Sequence, residues 1–376
     1  MTATAARKIR RASRRTHGYA RTKPSARDWA RHIITFDRDD PSTYSPHTLP
    51  PAEIMGSETR ASIPWPTGAA PAPKPMSRKP SPSDPLPKCD YVLVTWTVEE
   101  AKALADTLTP GYPSKTAWYY YAHNFQSEFV PLIRAGAPAL DSKRLGSYFM
   151  TSIAGKDVLC MKSELHLSQD GPDMPIANLW KQIIAETEVK LIITTGTAGG
   201  IGPKVELGDV VTADEVRFDC QKTFKAKPFH NSAYATSKLK YTSYGTAEKL
   251  FSANVSHLPK SSRPPKIFTK PVADAKVPDV VTTDFFAFDD SSNTFGLRGL
   301  GTAVEMGDAV LGLVIGQLGS SSPRWTAIRN ASDPQIDDSQ LTEEEAATKA
   351  AQIYEKYGYW TTIPRAITCW ATVMDN

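Results

Sequence analysis

The chain has 376 residues, 40% hydrophobic and 22% charged, enough apolar material for a large core. No window approaches about eighteen uninterrupted apolar residues and no apolar stretch follows the N-terminus, which argues against membrane insertion and export and leaves a soluble, cytoplasmic protein as the expectation. Cys89, Cys160, Cys220 and Cys369 lie far apart without a C-x-x-C pair, which argues against a zinc site or a disulfide framework.

Net charge is +4, but residues 1–88 carry 16 Lys/Arg against 7 Asp/Glu, so the remainder is acidic. The first 27 residues hold nine basic side chains and no acidic one. Such a run reads either as a solvated tail or as a contact for nucleic acid or another acidic surface. Residues 64–87 contain nine prolines, which lack backbone donors and restrict φ, so the segment reads as an extended linker. Residues 1–88 are therefore expected to be a basic, proline-rich, weakly ordered leader, with the catalytic domain at 89–376.

Tyr91–Thr95 is a short β-prone run, and Val98–Leu108 follows with helical spacing. Ile176, Leu179, Trp180, Ile183 and Ile184 mark one buried helix face, with Pro175 in its first turn, and Lys190–Thr195 is the next strand. Val210–Phe218 reads as a strand, residues 222–280 as a basic insertion with 11 Lys/Arg against 3 Asp/Glu, and Val304–Leu318 as an apolar helix. Trp325–Arg329 is a further strand, and 342–357 a helix opened by a Thr342/Glu345 capping box. This alternation implies helices packed on a largely parallel sheet.

The densest chemical signal is Leu191-Ile-Ile-Thr-Thr-Gly-Thr-Ala-Gly-Gly200, followed by Leu207-Gly-Asp-Val-Val211. Glycines straight after a strand let the backbone approach a ligand closely. The whole string T-G-T-A-G-G-I-x-P-x-x-x-L-G-D-V-V-x-x-D-E-x-R-F resembles the purine nucleoside phosphorylase/nucleosidase superfamily, most closely its methylthioadenosine/S-adenosylhomocysteine nucleosidases. Val304-Glu-Met306, Arg329-Asn-Ala-Ser-Asp333 and Val94-Thr-Trp-Thr-Val-Glu-Glu100 fall in the order that family requires. The resemblance implies a three-layer αβα fold with a central mixed, largely parallel sheet, and cleavage between a sugar and a purine.

It also implies roles. Asp333 would protonate the departing purine; read without the motif it is a loop aspartate before Pro334. Glu100 would accept a proton from the attacking water and stabilise positive charge, with Glu99 as its competitor. Thr197, Ala198, Gly199 and Ser332 would line the substrate, Phe286 would stack on the base, and Glu305 and Met306 would line the sugar. Gly307 stands where the family has a second acidic residue holding the ribose hydroxyls, leaving Asp308 or Glu305 to replace it. Asp284, Glu215 and Arg217 would brace the site, and His166 would border it.

Phosphorolytic members place an arginine at the position of Thr194, so the departure favours hydrolysis. A phosphorylase remains the nearest alternative, and a non-catalytic nucleotide sensor, motivated by Gly307 and the unfamiliar Ser163–Gln169 stretch, the other. The seven histidines form no ligand set, so no metal or organic cofactor is implied. The expected partners are a small nucleoside or nucleotide and, from the resemblance, further copies of the chain. The basic insertion would favour nucleotides if it reached the distal end of the sugar.

Overall fold

The computed structural model describes residues 23–54, 61–259, 263–269 and 279–376. Its centre is β1 (Tyr91–Thr95), parallel to β3 (Lys156–Ser163) on one side and to β4 (Leu191–Gly200) on the other. β2 (Gly146–Ile153) joins β3 in an antiparallel hairpin. Beyond β4 the strands β5 (Val210–Thr212), β6 (Glu215–Asp219), β7 (Val280–Thr283), β8 (Ala303–Glu305) and β9 (Arg324–Asp333) complete a mixed sheet. β6, β7 and β8 run parallel, and β9 is parallel to β4 and antiparallel to β5.

Side chains alternate across a strand, and here that alternation makes three layers. Val92, Val94 and Ile192 enter one core with α3 (Pro175–Thr187) and α5 (Asp308–Leu318). Tyr91, Leu93, Leu191 and Ile193 enter the opposite core with α2 (Val98–Leu108), α4 (Tyr244–Phe251) and α6 (Glu343–Asp375). The chain thus has an α/β fold with helices on both faces of the sheet.

β4 creates the opening in which the site lies. On one edge it pairs with β9 from Leu191 opposite Arg324 to Gly199 opposite Asp333, with one register shift between Ala331 and Asp333. On the other it pairs with β1 only as far as Thr194, then antiparallel with β8 at Gly199 and Gly200. Between these ladders, residues 195–198 lack a strand partner on that edge.

Several boundaries differ from the sequence reading. Val304–Leu318 is not one helix: Val304 and Glu305 belong to β8, and α5 begins at Asp308. Val210–Phe218 is divided into β5 and β6, and α6 continues past 357 to Asp375 through Pro364. The Trp360–Ile363 run and Pro364 disfavour helix locally, but burial of nearly every residue from Gly358 to Val373 prevails.

The larger correction concerns the leader. The basic run lies outside the described residues except for Lys23 and Arg27, but residues 23–54 pack on the domain. Helix α1 (Ala26–Thr35) is opened by a Ser25/Asp28 capping box and buries Trp29, Ala30, Ile33 and Ile34. Trp29, Ile33, Phe36 and Ile54 form one cluster with Ala346, Ala350 and Tyr354 of α6. His32 Nε2 meets buried Glu355 Oε1 at 2.7 Å, and the Leu49 amide donates to its other oxygen at 2.9 Å. The proline-rich segment is a strap rather than a free linker. Ala72 and Pro73 pair with β2, where Lys74 donates to the Met150 carbonyl, and Ala122 donates to the carbonyl of Pro82. Prolines are tolerated because this is a sheet edge.

Trp29→Ala should therefore destabilise the protein by about 3 kcal/mol, as large-to-small core changes do. Deletion of residues 1–54 should cost more, because it also leaves Glu355 without its partners. Urea unfolding checks both; an unchanged midpoint for either variant would place α1 outside the core.

Candidate active site

Glu100 occupies the break beside β4. Thr97 caps α2 and accepts from the Glu100 amide, while the Glu100 carboxylate turns back onto the strand end. Its Oε2 accepts from Thr95 Oγ1 at 2.6 Å and from the amides of Trp96 and Thr97 at 2.9 Å. Its Oε1 accepts from the Thr197 amide at 2.6 Å and the Thr197 hydroxyl at 2.7 Å. Thr197 lies in the stretch of β4 that lacks a strand partner, so the carboxylate satisfies a donor the sheet leaves over. Burial pushes the Glu100 pKa up, but the charges of Arg365 and Arg329, with the hydrogen bonds from Thr95 and Thr197, overcome this and hold it at about 2. Its rival Glu99 accepts from the Arg38 amide at 3.0 Å and pairs with Lys102 at 3.1 Å, and does not line the cavity.

Arg329 crosses behind the cavity. Its Nε donates to Asp308 Oδ2 at 2.7 Å, its Nη2 contacts the other Asp308 oxygen and lies 3.1 Å from Glu305 Oε2, and its Nη1 reaches the Thr197 carbonyl at 3.3 Å. Opposite it in the ladder is Gly196, where an added Cβ would stand 2.1 Å from Arg329 Nη1 and 3.0 Å from Glu100 Oε1. That close approach is why glycine is needed there. The guanidinium lies over the Trp96 ring, 4.8 Å from its centroid. Burial and the Asp308 charge push the Glu305 pKa up against the pull of Arg329.

At the end of β9, burial raises the Asp333 pKa to about 6, against the Ser332 hydroxyl that donates to Oδ1 at 2.8 Å. Gly199 lets this carboxyl approach β4, since a Cβ there would lie 3.1 Å from Oδ2.

These groups line one cavity of about 70 Å³. It brings together Glu100, Thr197, Ala198, Gly199, Phe286, Glu305, Met306, Ser332 and Asp333, all expected from the sequence. Asp308 does not join them: its carboxylate is fully buried against Arg329, so it neutralises a cation instead of facing a sugar. Asp284 lies outside as well, accepting from the amides of Gln221, Lys222 and Phe224. Among the described residues, the 222–280 insertion contributes nothing to the lining, so none of its described cations reaches the site.

The remaining wall was not anticipated. Ile33 and Ile34 come from α1, Ala350 and Tyr354 from α6, and Trp96 from the turn after β1. The α1 capping box and its Trp29/Ile33 spacing were visible in the sequence, but the basic and proline-rich surroundings masked them. Arg329 was recognised only as the first letter of its motif. His166 and Ser168, from the unfamiliar stretch after β3, line the cavity too. Burial and the nearby Lys162 push His166 down to about 3, so its ring is neutral. Among the described residues, no group of three or more His, Cys, Asp or Glu is placed to hold a metal ion, and no helix is long and apolar enough to cross a membrane.

No curated protein matches the sequence significantly. Similar solved structures include a 5′-methylthioadenosine/S-adenosylhomocysteine nucleosidase from Neisseria meningitidis in complex with methylthio-immucillin-A, at 17% identity and a TM-score of 0.45 over 76% of this chain and 98% of that one. Another is a futalosine hydrolase from Helicobacter pylori, at 14% identity and a TM-score of 0.43 over 76% of this chain and 98% of that one. Residues 90–357 match the phosphorylase superfamily, a span that contains every cavity residue except Ile33 and Ile34. The chain belongs to the phosphorylase superfamily.

Proposed function

We propose that the protein is a purine nucleosidase, hydrolysing the bond between sugar and base to release both. One observation carries this reading: two buried carboxyl groups line the same cavity with their pKa values shifted in opposite directions, Asp333 raised to about 6 and Glu100 lowered to about 2. Environments that drive two carboxyl groups apart in this way separate an acid from an anion. Asp333 gives its proton to a ring nitrogen of the purine as the C–N bond breaks, so the base departs neutral. Glu100 stays charged and stabilises the oxocarbenium-like sugar electrostatically. Because a carboxylate of such low pKa is a weak base, water attacks the cationic carbon first, and the resulting oxonium, a far stronger acid than a carboxylic acid, then passes its proton to Glu100 and on to solvent.

Hydrolysis is favoured over phosphorolysis because a phosphate nucleophile needs free paired cations. Among the described residues, Arg329 is the only Lys or Arg on the cavity, and Asp308 and Glu305 occupy it. Thr194 is buried and its hydroxyl donates to the Thr326 carbonyl at 3.4 Å. The same shortage of cations, with Ile33, Ile34 and Ala350 in the wall, favours nucleosides over nucleotides.

Asp333→Asn should lower kcat by about a hundredfold or more while leaving KM within a few-fold, since an amide hydrogen-bonds the purine but donates a proton poorly. In the wild type the acid is protonated below its raised pKa, so kcat/KM should fall as pH rises through about 6. Steady-state base release, followed by chromatography across pH, checks both; wild-type turnover in the variant would remove Asp333 from the mechanism.

Adenine nucleosides should be cleaved with kcat/KM about a hundredfold above that of their 5′-monophosphates, a gap expected when a dianion meets no cation. Parallel assays at low ionic strength measure the ratio, and equal values would contradict the apolar-wall reading.

A further inference from the structure

The side of the cavity that would face the sugar hydroxyls has almost no free acceptor. Gly307 follows Met306 with φ 179 and ψ −25, and a Cβ built there would lie 3.8 Å from Glu305 Oε2 and 3.7–3.8 Å from Cζ2 and Cε2 of Trp96. A Cβ meets only ordinary van der Waals contacts at this position, yet no side chain is present. Glu305 cannot readily substitute, because its oxygens are engaged. Oε1 accepts from Thr282 Oγ1 and, at 3.0 Å, from the Asp308 amide; Oε2 lies 3.1 Å from the same amide and 3.1 Å from Arg329 Nη2. These contacts consume most of a carboxylate's lone-pair capacity. Asp308 is itself held by Arg329.

Beside Gly307 lies a donor without a partner. Trp96 is 6% exposed, and among the described residues its indole Nε1 is buried without an acceptor. The ring edge next to Nε1, through Cε2 and Cζ2, is the edge that meets Gly307. Val304 and Met306 add apolar surface to the same lining.

A ribose brings two vicinal hydroxyl donors to such a surface, and burying donors without acceptors is costly. A 2′-deoxyribose brings one, whose oxygen can accept from the Trp96 N–H. The chemistry points the same way. A 2′-hydroxyl draws electron density from the cationic anomeric carbon, and enzymes that cleave such sugars offset this with a hydrogen bond to that hydroxyl which strengthens in the transition state. A sugar without the hydroxyl needs no such acceptor.

We propose that the site takes 2′-deoxyribonucleosides in preference to ribonucleosides, with Trp96 and Gly307 as the residues that set the preference. This rests on the nucleosidase reading above.

The test compares kcat/KM for 2′-deoxyadenosine and adenosine in the full-length protein. The expected ratio is about tenfold or more in favour of the deoxynucleoside, and a ratio of one or below would overturn the proposal. Gly307→Glu supplies the missing acceptor and should move the ratio at least tenfold towards adenosine. Trp96→Phe keeps the ring over Arg329 but removes the N–H, and should raise KM for 2′-deoxyadenosine several-fold with little change in kcat. A folded Gly307→Glu variant with an unchanged ratio, or an unchanged KM in Trp96→Phe, would also overturn it. If the wild type releases base from neither compound, the nucleosidase reading fails. Calorimetric affinities for the same two compounds then judge the sugar preference alone: tighter deoxynucleoside binding supports it, and equal or weaker binding refutes it.

Discussion

The Glu100 carboxylate is the interaction on which the rest of this structure depends. It fills the break where β1 ends and β8 has not yet begun, and it takes the amide of Thr197 that the sheet leaves unpaired. Through Thr95, Trp96 and Thr97 it also closes the turn into α2, and its charge faces Arg365 and Arg329. Arg365 is fully buried in α6, with Nη1 on Thr95 Oγ1 at 3.3 Å and its Nε and Nη2 without hydrogen-bond partners among the described residues. Removing a buried charge's hydrogen-bond partners costs about 1–3 kcal/mol or more for each group left unsatisfied, a large share of a domain's net stability. The linkage has a definite sign. The Glu100 pKa falls from 4.5 in the unfolded chain to about 2 on folding, so its stabilisation is complete above the unfolded value and is lost as pH falls through that interval. The group that would face the sugar cation is thus held ionised by the requirements of the fold.

A second constraint is that charge behind the cavity is closed into pairs. Arg329 is neutralised by Asp308 and also contacts Glu305, which keeps one guanidinium in place against the Trp96 ring without leaving it free for an anion. The opposite wall is made by the two ends of the chain, since α1 lies on α6 and both contribute apolar side chains to the lining. The Gln169 side chain donates to the Arg27 carbonyl at 3.2 Å and Arg27 returns a 3.3 Å bond to the Gln169 carbonyl, which fixes α1 to the His166 stretch. The substrate wall is therefore assembled from segments more than three hundred positions apart.

This organisation explains what was legible in the sequence. Elements made by local patterning were readable: Tyr91–Thr95, Val98–Leu108 and the Ile176/Leu179/Trp180/Ile183 face all occur where their periodicity puts them. The residues of the glycine-rich string and of the Val304–Met306 and Arg329–Asp333 segments converge on one cavity because each sits at or just past the end of a strand. What could not be read depends on partners distant in the chain. Nothing local says that Asp308 is consumed by Arg329, that Trp360–Pro364 is held helical by burial, or that the helix signalled at Ser25–Ile33 packs into the core. The proline-dense strap misled because low donor content is compatible with a sheet edge as well as with a free linker.

The account rests on water, and not phosphate, reaching the sugar carbon beside an ionised Glu100. The most direct measurement is base release from a purine nucleoside in phosphate-free and phosphate-containing buffer, with the sugar product identified by NMR. The account predicts equal rates and a free reducing sugar in both; a sugar 1-phosphate, or release only when phosphate is present, would contradict it.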